Sequence, residues 1–254
     1  MHSKVCSFFL LLLIMLPVHS ALAAAENDTW HFQLAPYGWL AGQNGQVATL
    51  PGLPPADIDV NFYDDILGNI NGALMLVGEA RKGCYGIAMD IAYTNIEFDT
   101  STPGPFFSSI ASTTESWIVS AAGFYRLAEK DQAFLDAMGG IRYWSIDSEL
   151  ALNAGLVSAR AISNKEDWID PIIGLKGFMP IGASNFYISG AFLIGGFGAG
   201  SDFMWDANAN LGYQWTETFS TTVGYRYLDV DYEEDTFLYD VAQDGLVLGL
   251  SWRF

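Results

Sequence analysis

Apolar residues recur at every second position over much of the chain. Leu246, Leu248, Leu250, Trp252 and Phe254 alternate with Val247, Gly249, Ser251 and Arg253. Trp205, Ala207, Ala209, Leu211, Tyr213 and Trp215 alternate with Asp206, Asn208, Asn210, Gly212 and Gln214, and Tyr85, Ile87, Met89, Ile91 and Tyr93 with Gly86, Ala88, Asp90, Ala92 and Thr94. A period of two belongs to a β-strand with one apolar face. The pattern predicts ten strands, near 30–41, 69–81, 84–98, 113–127, 132–147, 167–179, 186–198, 203–215, 219–231 and 242–254. Brief connections at 82–83, 128–131, 180–185 and 216–218 alternate with longer ones at 42–68, 99–112, 148–166 and 232–241, with 199–202 the exception. Short turns on one side and long loops on the other are the sidedness of a transmembrane antiparallel up-and-down β-barrel. About ten strands fit best, and eight or twelve remain open. The strands meet the roughly 9–11 residues that a tilted membrane strand needs.

Aromatic residues gather toward strand ends: Trp30, Trp39, Tyr85, Tyr93, Trp117, Tyr125, Tyr143, Trp205, Trp215, Tyr225, Tyr227 and Trp252. This matches interfacial girdles, where a ring sits at headgroup depth. A soluble β-sandwich or lipocalin-like barrel would instead turn its apolar face inward and carry charge outside. Here the alternate face is rich in Gly, Ala, Ser and Asn, which suits a crowded lumen. If the apolar face meets lipid, parity turns Glu79, Arg81, Asp90, Arg126, Asp136, Arg142, Asp170, Lys176, Asp206, Arg226 and Arg253 into the lumen. An Arg or Lys on the lipid face at mid-membrane costs roughly 2–4 kcal/mol. Inside, the guanidinium fork can hold a carboxylate with two bonds. This charge network reads either as a structural brace that plugs the barrel or as the lining of a narrow pore.

Charge and composition narrow the function. The chain has 29 acidic and 11 basic residues for a net charge of −18, which excludes a phosphate-backbone partner and so any nucleic acid. The remaining acids concentrate in the long connections: Asp57, Asp59, Asp64, Asp65, Asp99, Glu149, Glu166, Glu233, Glu234, Asp235 and Asp240. They read as solvated loops, or as a mouth that attracts cations. Residues 1–24 form a cleaved secretory signal peptide: Lys4, an apolar run from Phe8 to Leu16, then Ala21-Leu22-Ala23. Residues 25–254 are then the barrel domain, with His31 as the one histidine and Cys84 as the one cysteine, so no internal disulfide forms. No cofactor or metal motif is present: a transition-metal Cys/His cluster, the glycine of an EF-hand loop and a phosphate-binding glycine motif are all missing. Histidine-dependent hydrolysis would rest on His31 alone, and the carboxylates Asp170 and Asp206, placed near the extracellular rim, offer only a coincidental acid–base pair.

Several stretches carry a family likeness: Ala35-Pro36-Tyr37-Gly38-Trp39, Gly139-Gly140-Ile141-Arg142-Tyr143-Trp144, Trp168-Ile169-Asp170-Pro171-Ile172-Ile173-Gly174, Gly195-Gly196-Phe197-Gly198-Ala199-Gly200-Ser201-Asp202 and Gly224-Tyr225-Arg226-Tyr227-Leu228-Asp229-Val230-Asp231-Tyr232. On these the chain resembles the OmpA-like outer-membrane β-barrel proteins of proteobacteria. Leu193-Ile194 departs from it, standing where an acid is expected. The likeness implies a location in the outer membrane of a Gram-negative bacterium, among outer-membrane lipids and lipopolysaccharide. It also implies that Ser251-Trp252-Arg253-Phe254 is the C-terminal signal, with Trp252 and Phe254 as its aromatic residues, that the barrel-assembly machinery reads. The expected function is a non-enzymatic barrel with a charge-braced lumen that contributes to envelope integrity. The alternatives are a small porin-like channel and a lipid-active enzyme.

Overall fold

The structure, a computed structural model, describes residues 29–101 and 106–254; the signal peptide expected at 1–24 lies outside the described residues. Period-two alternation is realised in eleven strands: β1 (Trp30–Ala48), β2 (Ala56–Val60), β3 (Ile70–Lys82), β4 (Tyr85–Ser101), β5 (Phe107–Lys130), β6 (Ala133–Ala154), β7 (Arg160–Pro180), β8 (Phe186–Gly195), β9 (Phe203–Gln214), β10 (Phe219–Glu234) and β11 (Phe237–Arg253). Each strand from β3 to β11 pairs with the next, β3 pairs with β1, and β11 pairs back onto β1. The result is a closed antiparallel up-and-down barrel of ten strands, with β2 paired to β1 alone.

The faces divide as the alternation predicts. Tyr85 and Ile87 are 68% and 65% exposed on the outside, whereas Arg142 and Asp206 are 1% and 2% exposed within. Two aromatic belts bound the outer apolar band. One, near the short turns, pairs Tyr85 with Tyr125, Phe186 with Tyr213 and Phe219 with Trp252. The other pairs Tyr93 with Trp117 and Trp205 with Tyr227. Polar tips of the second belt donate to carboxylates: Trp117 Nε1 to Glu115 at 3.1 Å, Tyr143 Oη to Asp167 at 2.8 Å, and Tyr225 Oη to Asp244. From Tyr85 to Tyr93 the strand covers about 26 Å at roughly 3.3 Å per residue, which is about 20 Å of height at a tilt of about 40°.

The far end differs from the sequence expectation. Strands, not long loops, make up most of it. β5, β6 and β7 run through 24, 22 and 21 residues. The connection expected at 232–241 is a tight turn at Asp235, whose φ is 52°. Of the acids assigned to loops, Asp57, Asp59, Asp99, Glu149, Glu166, Glu233, Glu234 and Asp240 lie on strands. Alternation continues there, but polar residues such as Asn95, Glu97, Glu115 and Asp147 occupy the outward positions, so the hydrophobic signal fades while the backbone ladder persists. Trp39 is also corrected: it faces inward and is buried, not part of a girdle.

Pro36 ends the β1–β3 ladder, whose last pair is Pro36 with Leu76; proline has no N–H to give. Above it the Trp39 N–H turns to the Met75 thioether at 3.2 Å. β2 takes over the pairing from Gln43 to Val47. The gap is filled by a helical turn at Phe62–Ile66, whose Phe62 and Ile66 pack on Ile96, Leu40 and Val60. At the closing seam Gly45 sits at φ 143°, and a Cβ there would collide with the Asp240 carbonyl. Gly45→Val should therefore cost about 2–3 kcal/mol, read as a lower temperature for loss of the compact band on a semi-native gel; an unchanged temperature would show that the seam tolerates a side chain.

Candidate functional site

The register builds the interior in three layers. Nearest the short turns, cross-strand neighbours Arg126, Asp136 and Lys176 lie in one row on β5, β6 and β7. Arg126 pairs with Asp136 and with Glu129, and Lys176 pairs with Glu79 from across the barrel. Aromatic faces complete the cations' surroundings: Arg126 lies 4.0 Å over the Phe134 ring and Lys176 lies 3.6 Å over Phe124. A cation over a ring face is attracted by the ring quadrupole.

The second layer centres on Asp206 of β9. Its Oδ2 accepts from Arg142 Nη2 at 2.7 Å and from Arg226 Nη2 at 2.7 Å, and its Oδ1 accepts from Arg226 Nε at 3.0 Å. Arg226 also approaches Asp90 at 3.1 Å. Tyr37 closes the circuit, since its hydroxyl donates to Asp90 at 2.7 Å and accepts from Arg226 Nη1 at 3.0 Å. Arg142 Nε donates to Ser120 Oγ at 2.8 Å. Two guanidiniums share one buried carboxylate here, and each remaining donor site has a neighbour to meet. A buried charge demands this degree of pairing.

The third layer, at the extended end, is apolar. Trp144, Trp168 and Tyr232 stack, with centroids 5.5 Å and 4.0 Å apart. Leu228, Val230, Val241, Met204 and Ile172 pack around them, all fully buried. The sequence expectation of a small, polar inward face thus holds only for the half nearer the short turns.

Eight of the eleven residues expected in the lumen network form ion pairs inside the barrel: Glu79, Asp90, Arg126, Asp136, Arg142, Lys176, Asp206 and Arg226. Asp170 does not. It is fully buried beside Arg142 in register, yet it meets no cation. Its oxygens accept from Trp144 Nε1 at 2.8 Å, the Ser201 N–H at 2.7 Å and Ser201 Oγ at 2.8 Å. Asp170 and Asp206 therefore lie buried among their own donors and not open at a rim. Arg81 and Arg253 also form no ion pair among the described residues. Both line a cavity of about 820 Å³ in the short-turn half, whose ceiling is Tyr37, Asp90, Asp206 and Arg226 and whose rim includes Gln132, Thr218 and Phe254. His31 lines it too, with Nε2 3.5 Å from Thr29 Oγ1. Sequence reasoning missed Tyr37, Glu129 and Ser201. Tyr37 could have been found, because it shares its parity on β1 with His31 and Gln33.

Trp252 and Phe254 lie on the outside of the closing seam. The Phe32 N–H donates to the Phe254 carbonyl at 2.8 Å, the Phe254 N–H donates back at 3.0 Å, and the two rings stack at 5.9 Å.

No family model matches this chain, and no characterised protein matches it in sequence. In three dimensions it is similar to Ail, the attachment invasion locus protein of Yersinia pestis, in complex with sucrose octasulfate, at 13% identity over 89% of this chain and 98% of Ail, with a TM-score of 0.37. It is also similar to the translocator domain of the autotransporter NalP from Neisseria meningitidis, at 10% identity over 91% of this chain and 90% of that one, with a TM-score of 0.44. Neisserial surface protein A is similar at 11% identity over 89% of this chain and 97% of that chain, with a TM-score of 0.33.

Proposed function

We propose that this chain is an integral outer-membrane barrel, OmpA-like in kind and non-enzymatic, that strengthens the envelope without conducting through its lumen. Its apolar band between two aromatic belts is suited to a bilayer, because lipid-facing barrels carry such a band with girdles at both interfaces. The observation that carries the sealed reading is the filled extended half, where the Trp144–Trp168–Tyr232 stack lies beyond the Arg142–Asp206–Arg226 layer. Water and ions entering from the short-turn side meet that ceiling. Trp252 and Phe254 serve as the assembly signal in this reading, and outer-membrane lipid and lipopolysaccharide are the partners of the outer face.

The test is planar-bilayer recording on the refolded chain. No unitary conductance steps should be seen above the bare-bilayer baseline. Reproducible steps of fixed size would overturn the sealed reading and favour a porin-like channel.

A further inference from the structure

We infer that the cavity of the short-turn half is a binding site for a small organic anion with one carboxylate or phosphate group and a short apolar body. Its volume, about 820 Å³, lies in the range of small-molecule sites, roughly 300–1,000 Å³. The inference needs only the open rim, so a conducting barrel would leave it standing.

Two of the cavity's cations point to an anion. Six of the chain's eleven Lys and Arg residues line it, together with the carboxylates of Glu79, Asp90, Glu129, Asp206 and Glu217. Four of them, Arg126, Arg142, Lys176 and Arg226, are neutralised by internal carboxylates. The other two, Arg81 and Arg253, have no ion pair among the described residues. Glu217 and the terminal residue Phe254 also line the rim, but neither pairs with these arginines. Register brings Arg81 and Arg253 to flank β1, with Arg81 opposite His31 and Arg253 opposite Gln33. Three adjacent strands thus present two guanidiniums, an imidazole and an amide to one space. Arginine is suited to this task because its planar fork matches carboxylate and phosphate oxygens.

A second observation is independent of charge. Ser251 lines the cavity two residues before Arg253, is 6% exposed, and its Oγ has no hydrogen-bond partner. Buried polar groups are rarely left so. A ligand oxygen held by Arg253 would bring an acceptor toward that hydroxyl. Behind the rim small apolar residues, Ala35, Val77, Ala88, Ala122 and Ala191, are interleaved with polar Ser189, Asn208 and Asn210. The apolar stretches leave room for a short hydrocarbon body.

The experiment titrates the full chain, purified from membranes in maltoside, with hexyl phosphate, dihexanoyl phosphatidic acid, inorganic phosphate and hexanol, followed by calorimetry. Saturable binding is expected for hexyl phosphate, weaker binding for inorganic phosphate, and none for hexanol. Arg81→Gln and Arg253→Gln should each weaken binding about tenfold, the effect of losing one charge-assisted contact. Ser251→Ala should weaken it about threefold. Arg253→Lys should weaken binding less than Arg253→Gln does, because the charge is kept and the planar fork is lost, and a wild-type folded band on a semi-native gel separates lost binding from lost structure. Tighter binding of hexyl phosphate than of phosphatidic acid identifies a free solute as the source, and tighter binding of phosphatidic acid identifies a lipid headgroup. No saturable binding of any probe, hexanol binding as tightly as hexyl phosphate, or unchanged affinity in folded Arg81→Gln and Arg253→Gln would overturn the inference.

Discussion

Asp206→Ala should destabilise the barrel by about 3–5 kcal/mol, the range for removing one member of a buried charge cluster. Asp206 is the shared acceptor of Arg142 and Arg226. Without it Arg142 keeps only Ser120 and a 4.0 Å approach to the Met204 sulfur. Arg226 keeps Asp90 and Tyr37. Two guanidiniums would then stay in a site that is almost closed to water, with one carboxylate between them. The measurement is the temperature at which the folded form is lost on a semi-native gel, supported by denaturant titration in detergent. Asp90→Ala provides the gradation. Its side chain is 24% exposed and it serves Arg226 alone among the arginines, so its loss should cost about 1–2 kcal/mol. Equal costs at the two positions would show that solvent from the cavity below screens the whole layer. In a cycle with Arg142→Ala, the Asp206→Ala cost should shrink markedly, because the charge left unpaired is then removed as well.

Much of this arrangement could be read before any coordinate was known, for a definite reason. Parity is a property of the strand alone. Once the apolar face is assigned outward, Arg142, Asp206 and Arg226 must point in, whatever the register. Strand order follows from antiparallel nearest-neighbour connection. What parity cannot give is which inward groups meet across the barrel. Arg142 stands opposite Asp170 in the β6–β7 ladder, yet the two do not pair. In the folded chain the guanidinium reaches over the lumen to Asp206, while Asp170 is taken up by Trp144 and Ser201. Partner choice depends on barrel curvature and side-chain length, neither of which leaves a local trace. The apolar plug was hidden for another reason. Trp168 and Tyr232 lie in segments where outward positions are polar, so the hydrophobic period there has the opposite phase to the outer apolar band. A single rule of apolar-out cannot cover both halves of one strand.

Asp170→Ala tests that partition directly. The substitution removes a carboxylate that forms no ion pair, and its ladder neighbour Arg142 keeps Asp206, so no buried positive charge loses its partner. It leaves three donors stranded: Trp144 Nε1, the Ser201 N–H and Ser201 Oγ. A buried donor without a partner costs about 1–3 kcal/mol, and Ser201 Oγ retains its role as acceptor for Trp168 Nε1 at 2.9 Å. A total loss of about 3–5 kcal/mol is expected, as large as that at Asp206 but of different character. Raising salt should leave it nearly unchanged. The connection between β8 and β9 should be released, because Asp170 holds Ser201 and the Gly196 N–H is held by the adjacent Pro171 carbonyl at 3.2 Å. Proteolysis at Phe197, which is 52% exposed in that connection, should quicken in Asp170→Ala and stay near the wild-type rate in Asp206→Ala. If cutting at Phe197 is no faster in Asp170→Ala, the carboxylate does not fasten the loop. If Asp170→Ala and Arg142→Ala prove strongly coupled, the ladder neighbours form a charge pair after all, and the division of the interior into an ionic layer and a hydrogen-bonded apolar cap is wrong.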